Sequence, residues 1–168
     1  MKDIPNFRVR DLAIAIVPRH EDDELWDVYI INFKKAAIGS VFINSRGYGE
    51  LDGEKIRTTT LRHFFEDIDG NAMEQIEPIQ TELFELTNEY WVSFMYEGHM
   101  YDKKYVFVKG SIDEMNFTTI PDNLLNPDID RSLFPLRLQR YCFKTMESRW
   151  VAFCSCNIVN LAYLFLTH

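Results

Sequence analysis

A chain of 168 residues fits one domain, since domains run to about 100–200 residues. With 46% hydrophobic and 14% aromatic residues it can fill a sizeable core, which argues against intrinsic disorder over most of its length. Residues 1–128 carry 13 Lys+Arg against 24 Asp+Glu, or −11, whereas residues 129–168 carry 5 against 2, or +3. A domain of that acidity repels a phosphate backbone, so non-specific nucleic-acid binding is not expected. The three cysteines, Cys142, Cys154 and Cys156, all follow residue 141. The main domain therefore has no disulfide framework, which fits a reducing, cytoplasmic setting. No apolar run of signal-peptide length opens the chain.

From Asp11 to Val108 the apolar pattern has mainly period 2. Leu12 to Val17 reads as a strand buried on both faces. An acidic turn follows at 20–24, and Leu25 to Phe33 gives a second strand rich in β-branched and aromatic residues. Lys34-Lys35 turns the chain into a third strand, Ala37 to Asn44. Asp52-Gly53 is a hairpin signal, because its second position accepts positive φ, and Lys55 to Thr59 returns.

The spacing of Leu61, Phe64, Phe65 and Ile68 predicts a helix over 60–69, capped by Thr59 or Thr60 and ended by Gly70. Glu74 to Gln80 reads as an edge strand, since Pro78 cannot donate to a ladder. Leu83 to Leu86 is a short turn. The runs Asn88–Tyr96 and Met100–Val108, joined at Glu97-Gly98-His99, form the clearest hairpin. The pattern fades after Lys109, and a Pro-, Asn- and Asp-rich stretch reads as a linker. The expected fold is α+β. A mostly antiparallel, twisted sheet of about six to eight strands packs one helix, with a C-terminal helical extension. The expected units are an acidic strand-rich domain at 1–122, a linker at 123–135 and an apolar helical tail at 136–168.

Several fragments of known motifs fall short. Gly47-Tyr48-Gly49 lacks both the third glycine and the following helix that a dinucleotide fingerprint needs. Asp67, Asp69 and Asn71 match the start of a calcium loop, but Ala72 and Pro78 occupy the positions of its glycine and bidentate glutamate. Cys154 and Cys156 are too close and too isolated for a zinc knuckle. No cofactor or metal site is therefore expected. On a helix, His63 would stand beside Glu66 and Asp67, an arrangement that suits a general base or a metal ligand, against the plainer reading of a solvated polar face. Arg46 joins His63 and Glu66 as a candidate catalytic set. Trp91 and Tyr101 are candidate interface aromatics within the hairpin.

The segments Arg10-Asp11-Leu12-Ala13-Ile14-Ala15, Ile43-Asn44-Ser45-Arg46-Gly47-Tyr48-Gly49, Thr58-Thr59-Thr60-Leu61-Arg62-His63-Phe64-Phe65 and Asn88-Glu89-Tyr90-Trp91-Val92 carry a resemblance. They are similar to a small bacterial family of acidic proteins sometimes labelled phenylalanyl-tRNA synthetase alpha subunit. The last segment, with Tyr101-Asp102-Lys103-Lys104, is the most specific. The resemblance covers residues 1 to about 120. It implies no catalytic residue, because the Arg-containing strand motif and the Gly-rich motif that serve ATP in such synthetases are missing from this sequence.

The segment from Trp150 to Leu166 carries no charge, and Arg140, Lys144 and Arg149 precede it. It reads equally as a buried helix, a tail anchor near the lower length limit of a span, or sequence foreign to the domain through a shifted frame or fusion. The functional expectation is a non-catalytic, cytoplasmic binding or interaction domain for an unknown protein or small-molecule partner. The alternatives are an enzyme built around the 60–69 helix, a tail-anchored membrane protein, and a synthetase-related protein by family label only.

Overall fold

The computed structural model describes residues 8–19, 24–51, 53–113 and 116. Eight strands run in the order β1 (Leu12–Pro18), β2 (Leu25–Asn32), β3 (Ile38–Leu51), β4 (Glu54–Arg57), β5 (Leu61–Ile68), β6 (Ala72–Gln80), β7 (Thr87–Tyr96) and β8 (His99–Phe107). A five-residue 3-10 turn, Thr81–Glu85, links β6 to β7. All pairings are antiparallel.

The strands form two sheets. The smaller has the order β1-β2-β6. In the larger, β3 is the spine: β7 pairs along one edge and β8 follows it, while β4 and β5 share the other edge end to end. β4 pairs with Tyr48 to Leu51 and β5 with Ile38 to Ser45. The inner faces meet in one core. Ile14, Val28 and Ile30 of the small sheet pack with Val41, Ile43, Val92, Phe94 and Phe107 of the large one. Each such side chain, fully removed from water, contributes about 1.5–3 kcal/mol.

The expected helix over 60–69 does not form, and with it the α+β assignment falls: among the described residues no helix is longer than the five-residue 3-10 turn. Residues 61–68 instead pair with the free edge of β3. The i, i+3, i+4 spacing arises because both faces of β5 carry apolar residues. Phe65 packs against the core, while Phe64 points out and is 57% exposed. The β-branched run Thr58–Thr60 and the adjacent phenylalanines suit a pleated edge as well as a helix, and an unpaired β3 edge decides the outcome. The expected C-terminal helical extension, the linker at 123–135 and the Trp150–Leu166 segment lie outside the described residues. No helix among the described residues is long and apolar enough to cross a membrane.

Two buried details lock the corner where β5 hands over to β6. Asn32, fully buried, donates from its amide nitrogen to the carbonyls of Ala36 (3.0 Å), Ile68 (3.2 Å) and Asp69 (2.9 Å), and its oxygen accepts from the Lys34 N–H. Gly70 lies so close to the β2–β3 bend that a Cβ there would stand 2.3 Å from the Lys35 carbonyl oxygen. Glycine is the residue that permits this approach.

Candidate functional site

β5 and β6 are consecutive but belong to different sheets. They share the pinned corner at 69–71. Away from it, the start of β5 and the end of β6 face each other across a cavity of about 160 Å³ at the open margin of the sandwich. Its walls include Leu61, Leu83 and Ile79, together with Glu77, Asn88 and Tyr90.

Glu77 reaches this cavity through a bulge. Val28 pairs with Glu77 and Tyr29 with Gln75, so Ile76 is the extra residue. A bulge re-aims the side chains beside it. Here Ile76 enters the core and Glu77 also turns inward, its side chain only 10% exposed. The Glu77 carboxylate does not stand alone. Its Oε2 lies 2.8 Å from His63 Nε2 on β5, and it accepts a hydrogen bond from the Tyr90 hydroxyl on β7. Burial is the main reason that the Tyr90 hydroxyl holds its proton well above the usual tyrosine range. The negative charge of Glu77 and the hydrogen bond to it act in the same direction. Tyr90 is therefore a fixed neutral donor.

The rest of the lining presents acceptors. The Asn88 amide nitrogen is used by the carbonyls of Leu83 (2.7 Å) and Leu86 (3.2 Å), which leaves its oxygen directed toward Gly47. The Thr58 hydroxyl accepts from the Gly47 N–H (2.8 Å) and donates to the Thr59 carbonyl (2.9 Å). Arg46 also borders the cavity; its Nη2 is bound to Glu89 on the other face of β3, and its Nε is buried with no hydrogen-bond partner.

That other face, the outside of the large sheet, is a second feature. Alternation along β3 places Phe42, Asn44, Arg46 and Tyr48 there. Phe42 lies opposite Phe64 on β5, with ring centroids 4.7 Å apart. Asn44 lies opposite Arg62 on β5 and Trp91 on β7, and Trp91 lies opposite Lys104 on β8. Lys104 Nζ sits 5.0 Å from the Trp91 ring centroid. Glu89 is buried between Arg46 (2.7 Å) and Lys104 (3.2 Å), so its charge is answered within the face. Phe42, Phe64 and Trp91 remain 51%, 57% and 45% exposed.

The structure thus distributes the residues singled out in the sequence. His63 faces inward onto Glu77, whereas Arg46 and Glu66 belong to the outward alternation of their strands. Three residues apart on a helix share a side; three apart on a strand do not. Arg46 and His63 therefore lie on opposite sides of the sheet, and Glu66 is not brought to either the cavity or His63. Trp91 is on the outer face, while Tyr101 faces inward and stacks on Phe94 at 5.3 Å. Sequence reasoning missed Glu77, Tyr90, Asn88 and Asn32. The one available signal was the broken alternation of Ile76 and Ile79 around Glu77, which marks a bulge. Among the described residues no group of three or more His, Cys, Asp or Glu could hold a metal ion. Comparison with protein-family models and with curated proteins finds no match for the chain.

Proposed function

We propose that this chain is a non-catalytic interaction domain that docks a partner protein on the outer face of its large sheet. The observation that carries the reading is the joint exposure of Phe42, Phe64 and Trp91 on one face of paired strands. Aromatic residues and arginine are the side chains most enriched at protein interface cores and hot spots. Scattered single apolar residues need no explanation, but a contiguous group does. The charge pattern indicates the partner's chemistry. The buried acid of the face, Glu89, is neutralised internally, whereas Arg62 and Arg57 have no carboxylate partner among the described residues. A partner surface with apolar side chains flanked by carboxylates fits both. A cytoplasmic setting belongs to the same proposal and rests on the lack of cysteine in residues 1–141.

Site-specific photo-crosslinkers at positions 42, 64 and 91 of the full chain, in its own cells, test this. The expected outcome is one protein adduct of common mass from all three positions. It should be lost with Arg62→Glu and not be formed from a crosslinker at Tyr29 on the small sheet. No shared adduct, an adduct that survives Arg62→Glu, or nucleic acid in place of protein, would overturn the reading.

A further inference from the structure

We propose that the cavity between β5 and β6 is a binding site for a small organic cation, an alkylammonium or guanidinium head group, held by Glu77. The site is separate from the outer face and does not rest on the docking proposal.

The size sets the first limit. A cavity near 160 Å³ matches the roughly 150 Å³ engineered void that accommodates one benzene molecule. The occupant is a fragment of a few heavy atoms or the end of a longer chain that projects through the open margin.

The chemistry sets the second. An ionised carboxylate has about four lone-pair positions. His63 and Tyr90 each occupy one on Glu77, so the carboxylate still has acceptor capacity. Tyr90 holds its proton, so it adds no charge, and its oxygen can accept as well as donate. The Asn88 oxygen is a further acceptor, because the amide nitrogen is already committed. The Thr58 hydroxyl hydrogen is committed to Thr59, and the nearest guanidinium, Arg46, is bound to Glu89 across the sheet. The cavity thus gathers several acceptors and one carboxylate, and the one guanidinium on its border, Arg46, is tied through Nη2 to Glu89 and keeps a buried Nε without a partner. Leu61, Leu83 and Ile79 supply an apolar wall for an alkyl stem. An anion would face the Glu77 carboxylate. A neutral apolar ligand would leave its acceptors without donors, which is costly in a low-dielectric site.

The alternative is that Glu77 and His63 only clasp the margin. The two differ in what a ligand does. Titration of the full chain with n-butylammonium and with methylguanidinium, read by backbone amide chemical shifts, should give saturable changes confined to residues near 45–47, 58–61, 77 and 88. The expected Kd is on the order of 1 mM for so small a fragment. Butanol and acetate at equal concentration should give none. Glu77→Gln should weaken cation binding by tenfold or more, whereas Phe42→Ser on the outer face should leave it unchanged. Should Glu77→Gln not fold, Leu61→Trp, which fills the mouth from an exposed position, should abolish binding with Glu77 intact. Equal shifts from butanol and butylammonium, or no saturable shift from either cation, would overturn the proposal and leave the clasp as the whole role of Glu77.

Discussion

The Tyr105 hydroxyl donates to the Leu12 carbonyl at 2.7 Å, a buried bond between residues 93 positions apart. It fastens β8 of the large sheet to β1 of the small one, on the side of the sandwich away from the cavity. Tyr105→Phe removes the donor and leaves a buried carbonyl unpaired. The expected loss is about 1–2 kcal/mol, read as a lower urea midpoint with an unchanged slope. A change in slope would show that the two sheets no longer unfold together.

Asn32 should be costlier to replace. Asn32→Leu keeps the volume but strands the carbonyls of Ala36, Ile68 and Asp69 and the Lys34 N–H. A loss of about 2–4 kcal/mol is expected, because several buried polar groups lose their partner at once. Asn32→Asp should be no better, since three carbonyl oxygens would face a carboxylate. Denaturant titration of the two variants against the parent chain checks the order.

The β7–β8 hairpin offers a gain. Its two-residue loop, Glu97-Gly98, has φ of 48° and 74°, a turn that favours asparagine before glycine. Glu97→Asn should stabilise the chain by about 0.5–1 kcal/mol, because asparagine tolerates left-handed backbone better. No rise in melting temperature would mean that Glu97 makes a compensating contact.

Alkaline stability should fall for a definite reason. The Tyr90 hydroxyl holds its proton more strongly in the folded chain than in the unfolded one. Its contribution is therefore complete below the unfolded tyrosine value near 10 and is lost as pH rises beyond it, by about 1.4 kcal/mol per pH unit. Tyr29, only half buried, acts in the same direction with a smaller, solvent-screened share. Tyr90→Phe should flatten the decline above pH 10, while lowering stability at neutral pH through the lost bond to Glu77. An unchanged alkaline slope in that variant would show that other groups control it.

The strands were legible in the sequence wherever one face is apolar and the other polar, as in β2 and β7, and where a residue pair dictates its turn. β5 was not, because Phe64 is an apolar residue on the solvent side. One outward phenylalanine converts a period of 2 into an apparent 3.6. That error propagated to chemistry, since the assumed helix joined His63 to Glu66, whereas the strand joins His63 to Glu77. Position 77 was hidden for a second reason. A bulge shifts the inward parity by one residue, and the broken spacing of Ile76 and Ile79 is its one trace in the sequence. What the outer face would expose could not be read either, because burial of an aromatic hairpin depends on which sheet covers which side.

The corner held by Asn32 and Gly70 has a mechanical consequence. β5 has eight residues, so at about 3.3 Å per residue its far end lies roughly 26 Å from that corner. The corner is a fixed pivot, and β5, paired with β3 from Leu61 to Ile68, moves as an arm of that length only together with the large sheet. A rotation of about five degrees there would widen the opposite end by about 2 Å, comparable to the difference between a closed rim and one that admits a methylene chain. The His63–Glu77 pair sits along that arm as a latch. A small guest enters at the open margin with the His63–Glu77 pair in place, while the core behind Phe94 and Ile43 stays shut.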